Sequence, residues 1–301
     1  MIVAVSGSSG LVGSALVSSL AALGHAVRRL VRPKTGRAPG RGDIPWDPEH
    51  GRLNADALAG CDAVVHLAGE NIAARRWSDA QKKRLRDSRV AATALLASSL
   101  KGLPRPPRVL VQASAVGYYG DRGDEVLTET SPPGRGFLPD LCRDWESASA
   151  PARDVGLRIV HVRFGIILSA RGGALKKMLL PFRLGIGGVV GSGRQYWPWL
   201  ALDDAVGVLE RALSDGSLDG PVNAVAPRPA TNREFTATLA RVLHRPAVIP
   251  LPAFALRLAL GEMGSLLLES ARVAPERLRQ AGYRHQHPEL EAALRHAVAG
   301  R

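Results

Sequence analysis

The sequence predicts an α/β fold, a doubly wound parallel sheet followed by a smaller, mainly helical C-terminal lobe, and three observations carry that expectation. Short apolar runs alternate with helical patterns from the first residues onward, as in a parallel sheet wrapped by crossover helices. Three of these runs end in small or polar residues, where open α/β sheets collect ligands. From about residue 250 only helical patterns remain.

The first run, Ile2 to Ser6, breaks into Gly7-Ser-Ser-Gly10-Leu11-Val12-Gly13 and continues at helical spacing. Gly7 permits a sharp turn, Gly10 lets the backbone approach a pyrophosphate, and Gly13 lets helix and strand pack closely. The amides of the first helical turn, Leu11 and Val12 among them, then point at phosphate. The first glycine gap is one residue wider than the usual dinucleotide fingerprint, but a second strand, Ala26–Val31, completes a βαβ unit around it. The ligand this predicts is a dinucleotide. Arg28, Arg29, Arg32 and Lys34 follow with no acid before Asp43. NAD selection calls for an acid at this strand end and a 2′-phosphate calls for a cation, so Arg32 is read as the 2′-phosphate ligand and NADP(H) as the cofactor. Arg28 and Arg29 are read as a solvated edge.

With 301 residues, 46% of them hydrophobic, the chain can bury a full α/β core and add a smaller lobe. Cys61 and Cys142 are too few for a disulfide framework or metal cluster and are read as free thiols in a reducing compartment. No continuous apolar stretch is long enough to span a bilayer, and the N-terminus enters a strand at once, so the expectation is a cytoplasmic protein without a membrane partner. The net charge of +13 suggests nucleic acid, yet the basic residues are mostly scattered arginines without interleaved aromatics. That pattern argues against a nucleic-acid partner.

Asp62 to Glu70 reads as a buried strand whose end, Leu67, Ala68, Gly69 and Glu70, lines the cofactor; His66 within it is a core residue. The helical stretch from Arg75 carries Arg89 where its apolar half begins, within reach of the cofactor. A third strand from Arg108 runs into Ser114-Ala-Val-Gly-Tyr118-Tyr119-Gly120. With these segments the chain resembles the atypical or extended short-chain dehydrogenases/reductases, a Rossmann-type family of the NAD(P)-dependent epimerase/dehydratase kind. More narrowly it is similar to the epimerase-like members with a small C-terminal domain of unknown function, through Trp46-Asp47, Leu67-Ala-Gly-Glu-Asn71, Arg76-Trp77, Ser88-Arg89, Gly191-Ser-Gly-Arg-Gln195-Tyr-Trp-Pro-Trp199 and Asn223-Ala-Val-Ala-Pro227.

The resemblance implies that Ser114 polarises a carbonyl or hydroxyl, beside a Tyr whose pKa is lowered by a Lys four residues later. Aligning Trp145-Glu146 of the expected helix puts Leu138 and Cys142 at those two positions, so the pair is missing. Tyr118 and Tyr119 are the candidate proton donors in its place. Ile159 to Leu168 is read as one late strand that brings Ile167 to the nicotinamide. A helix begins near Gly172, and a loop with Gln195, Trp197 and Trp199 is read as closing on substrate. Lys176, Lys177, Arg183 and Arg194 on these segments suit an anionic one. Asp203-Asp204 is read as a helix N-cap and not as a metal site, and no other metal site is expected. Thr231 and Glu234 form a capping box, and the stripe from Phe254 is expected to pack on the main lobe or a second subunit, giving a monomer or homodimer.

The predicted organisation is an NADP-binding, epimerase/dehydratase-like domain over 1–230, with its nucleotide-binding core at about 1–168 and its substrate loop at about 170–200, and a helical domain over 250–301. Two functions fit: an epimerase- or reductase-like oxidoreductase for a small polar substrate, or a non-catalytic NADP(H)-binding redox sensor or interaction protein. The resemblance connects the second with cell division.

Overall fold

The computed structural model describes residues 1–32, 40 and 42–300; Lys34 lies outside them. In chain order the main lobe contains β1 (Ile2–Ser6), α1 (Leu11–Ala22), β2 (Ala26–Val31), β3 (Ile44–Asp47), β4 (Arg52–Leu53), β5 (Ala63–His66), α2 (Asp79–Arg86), α3 (Ala92–Lys101), β6 (Val109–Ala115), β7 (Val126–Leu127), α4 (Phe137–Ser147), α5 (Ala150–Arg153) and β8 (Arg158–Phe164). The chain continues through β9 (Ile166–Leu168), α6 (Gly173–Arg183), β10 (Tyr196–Trp197), β11 (Trp199–Ala201), α7 (Leu202–Ser214), β12 (Gly220–Ala224), β13 (Ala230–Thr231) and α8 (Asn232–Leu243). It ends with α9 (Ala253–Leu260), α10 (Ser265–Leu268), β14 (Arg272–Val273), α11 (Glu276–Gln280) and α12 (Leu290–Val298).

Eight strands form one sheet in the order β12-β8-β6-β5-β1-β2-β3-β4, parallel except at the β3–β4 edge. Successive strands depart to opposite sides of β1, which opens a crevice at the carboxyl ends of β1 and β5. Residues alternate faces along each strand. Val3, Val5, Val65 and Val111 pack under α1 and α7 with Leu16, Leu20 and Leu209. Ala4, Val64 and Leu110 pack under α3 with Leu96 and Leu100. The sheet is thus buried on both faces and the Rossmann-type class is observed.

The structure differs from the sequence reading at three elements. The run from Ile159 to Leu168 is two strands, because at Gly165 the chain lies against Pro198, whose carbonyl oxygen would be 2.6 Å from an added Cβ. Beyond it β9 leaves the large sheet and pairs with β11. The helical stretch expected from Arg75 starts at Asp79, capped by the Ser78 hydroxyl, and passes through a π-turn at Asp87–Ala91 before α3. Asp203 and Asp204 do not cap α7; its N-cap is Ala201, and both acids lie in the first turn. The Thr231–Glu234 capping box is present.

The C-terminal segment shares the core of the main lobe. Leu256, Ala293, Leu294 and Ala297 pack with Trp197, Trp199 and Phe235, and β14 pairs in parallel with β7. Of the stripe starting at Phe254, Leu256 is buried, whereas Phe254 and Leu258 remain exposed. Among the described residues no helix is long and apolar enough to cross a membrane.

Candidate functional site

The crevice begins at the turn after β1. Gly7 has φ of +68°, and an added Cβ there would lie 2.7 Å from the Leu67 backbone. A Cβ on Gly13 would come within 2.2 Å of the Gly7 carbonyl oxygen. The two glycines therefore let α1 start directly against the strand ends. Gly10 is the N-cap of α1, with no side chain capping the helix and no acid in its first turn. The first intrahelical bond there runs from the Ser14 amide to the Gly10 carbonyl, so the amides of Leu11, Val12 and Gly13 precede the ladder and point outward. An uncapped helix start in a glycine cradle fits the pyrophosphate of a dinucleotide.

Around it lie the other residues singled out in the sequence. Arg32 directly follows β2, largely exposed, with Glu49 3.5 Å from its guanidinium. Of the neighbouring arginines, Arg29 is exposed as expected and grips Asp43 through two bonds, and half-buried Arg28 donates to the carbonyls of Ala57 and Ala59. Leu67 and Ala68 donate their amides toward the Ser6 hydroxyl. Gly69 lies against Arg89, which donates to the Glu70 carbonyl at 2.9 Å and stacks over Trp145. Burial lowers the Arg89 pKa from its ordinary value. Arg89 leaves from the π-turn, a distortion that often accompanies functional positions. Leu11 meets Gly172, and Ile167 is half-buried on β9.

At the carboxyl end of β6 the geometry becomes specific. The Ser114 hydroxyl donates to Glu146 of α4 at 2.6 Å. Glu146 is held bidentately by Arg163, at 2.8 Å through both Nε and Nη2. Arg163 sits on β8 directly opposite Ser114 in the strand register, and its guanidinium lies 3.5 Å from the centre of the Tyr118 ring. Its third contact is the Tyr119 hydroxyl at 3.0 Å, which itself donates to Asn223. Two residues were missed in the sequence, Glu146 and Arg163. The legible signal was Arg163, a charge inside the apolar run of β8, which calls for a buried partner.

The two tyrosines separate. Tyr119 is fully buried with both hydroxyl functions engaged, and burial pushes its pKa up to about 12, so it does not open onto the crevice. Tyr118 is half-buried. Leu138 and Cys142, one helical turn apart on α4, both face Gly117 in the loop after Ser114. Burial, with the Glu146 charge next, pushes the Cys142 thiol up to about 12, so it stays neutral.

The aromatic loop departs from its expected role. Gln195 donates to the carbonyls of Val190 and Leu267, Trp197 donates to Leu267, and Trp199 is 1% exposed in the second core. Tight strand pairing by β10 and β11 turns these side chains inward, where they fasten the loop to the C-terminal segment. Lys177 is likewise occupied, donating to the Ala73 carbonyl. A cavity of about 500 Å³ lies between Asp121, just past the Tyr118–Tyr119 turn, and residues 257–269, with Arg257, Glu262 and Glu269 on its wall.

Residues 3–224 match the NAD dependent epimerase/dehydratase family and residues 251–297 match a domain of unknown function, DUF1731. An epimerase family protein of Mycobacterium bovis is 44% identical over 299 residues, covering 99% of this chain and 97% of the relative. The crystal structure of human epimerase family protein SDR39U1 with NADPH superposes with a TM-score of 0.88 at 38% identity, covering 100% of both chains. That of a nucleoside-diphosphate sugar epimerase from Corynebacterium glutamicum gives 0.82 at 37% identity, covering 99% of this chain and 58% of the other.

Proposed function

Because the chain belongs to the NAD dependent epimerase/dehydratase family, we propose that it binds NADP(H) in the crevice beside β1 and acts as an oxidoreductase or epimerase on a small polar substrate. The uncapped start of α1 against Gly7 and Gly13 carries this reading. The amides of Leu11 and Val12 hold the pyrophosphate, Arg32 the 2′-phosphate, and Leu67 to Glu70, Arg89 and Ile167 line the rest. The NADPH in the human structure supports the choice of cofactor. Bound there, the nicotinamide supplies or accepts a hydride.

This chain's own residues provide the polar end. Ser114 donates a hydrogen bond to a substrate oxygen once its hydroxyl leaves Glu146. Arg163 and Glu146, a neutral pair overall, position Ser114 and the Tyr118 ring, and Tyr118 supplies the phenol in place of the expected Tyr–Lys pair. The residues now at those positions, Leu138 and Cys142, support a second reading in which NADP(H) is bound without turnover.

Calorimetric titration tests the cofactor assignment. NADPH should bind more tightly than NADH, and Arg32→Glu should weaken NADPH by about 1.5–3 kcal/mol, the range for charge-assisted hydrogen bonds, while changing NADH little. Equal losses for both cofactors would remove Arg32 from the site.

A further inference from the structure

We propose that Asp203, His287 and His296 form a binding site for one divalent metal ion of the zinc class, which ties the C-terminal segment to the start of α7. The three come from separate elements: the first turn of α7, the loop between α11 and α12, and the last turn of α12. One carboxylate oxygen of Asp203 lies 2.5 Å from Nε2 of His296 and 3.5 Å from Nε2 of His287. The two rings stack with centroids 4.2 Å apart, and the three ligand atoms all fall within 4.8 Å of one another.

The scaffold beneath them is rigid. Asp204, fully buried, accepts from the amides of Gln286 at 2.7 Å and His287 at 3.0 Å. Tyr283 donates to the same residue. His285, two residues before the ligand, meets the Val225 carbonyl. On α12, Ala293, Leu294 and Ala297 are buried around His296. The ligands' side chains remain 20–39% exposed, so an ion can enter from solvent.

Two imidazole nitrogens and one carboxylate oxygen suit the zinc class, whereas Ca²⁺ and Mg²⁺ prefer oxygen alone. Bonds of about 2.0–2.1 Å in tetrahedral geometry set ligand atoms about 3.3 Å apart. The observed spacings bracket that value, and turning one imidazole out of the stack would bring both Nε2 atoms onto one ion beside the Asp203 carboxylate and leave a fourth position for water. The sequence hid the arrangement because His296 is 93 residues from Asp203.

The test uses the full chain, stripped with a chelator, then titrated with Zn²⁺ against a chromophoric competitor and separately with Co²⁺. One ion should bind per chain with a Kd below about 1 µM, and the Co²⁺ form should show the visible absorption of a tetrahedral, imidazole-ligated ion. His287→Ala and His296→Ala should each weaken Zn²⁺ by about 100-fold or more, and Asp203→Asn by about 10-fold or more. Wild-type binding weaker than about 1 µM, or a Co²⁺ spectrum without imidazole ligation, overturns the site even if no variant folds. Folded histidine variants that bind as tightly as wild type overturn it as well.

Discussion

At the residue scale the site turns on a buried ion pair with one adjustable partner. Arg163 and Glu146 are 3% and 13% exposed at the side chain, so each needs the other, and removing either would strand a charge at a cost of several kcal/mol. Ser114 is different. Its hydroxyl adds a third bond to a carboxylate that Arg163 already satisfies, so the pair survives its loss. Ser114→Ala should therefore leave folding and NADPH affinity nearly unchanged, while lowering any NADPH-coupled turnover by about 10²–10³, the typical effect of losing one polarising donor. Tyr118→Phe should reduce turnover and spare affinity, whereas Tyr119→Phe should act on stability, since that phenol bridges Arg163 and Asn223. Steady-state rates beside a denaturation curve for each variant separate the cases. Turnover unaffected in Ser114→Ala would take that residue out of the chemistry.

At the element scale the cradle depends on strand ends that carry polar groups in dry places. His66 closes β5 with no exposure and bonds Ser6 of β1 at 2.6 Å. Burial lowers its pKa to about 4. Protonation thus favours the unfolded chain, where an imidazole titrates near its ordinary value of about 6.5. The stability that the neutral ring contributes is complete above that value and is lost as pH falls through 4. Over that range wild type should lose on the order of 3 kcal/mol in urea unfolding, and His66→Gln should show a flatter profile. Equal slopes would contradict the assignment. Much at this scale was legible: β1, α1, β2 and the capping box of α8 follow from glycine spacing, apolar period and capping residues, and α4 from the resemblance. The split at Gly165 was not, because the contact with Pro198 that redirects β9 lies 33 residues away. Nor was the inward turn of Gln195, Trp197 and Trp199, since a glycine-rich aromatic segment reads alike as a lid or as strands whose partners are distant. Ser114 was legible from its place at the end of a strand together with the resemblance, but the Glu146–Arg163 pair that positions it depends on a register between β6 and β8 that no local pattern contains.

At the scale of the whole molecule the C-terminal segment is a structural component of the site's surroundings. It supplies β14 beside β7, part of the second core, and one wall of the cavity next to Asp121. A chain ending at residue 250 would expose Trp197, Phe235 and their neighbours. Such a truncation should fail to give a cooperatively folded protein, and thermal unfolding of the full chain should proceed in one transition. A truncated form that melts cooperatively and keeps full NADPH affinity would show that the two lobes are independent. Cofactor seating in the crevice at β1 and β5 is tested by a crystal structure of this chain grown with NADPH. Pyrophosphate oxygens should lie within about 3 Å of the Leu11 and Val12 amides, the 2′-phosphate at Arg32, and the nicotinamide beside Ser114 and Ile167. Phosphates seated away from the start of α1, or a nicotinamide turned away from Ser114, would contradict it.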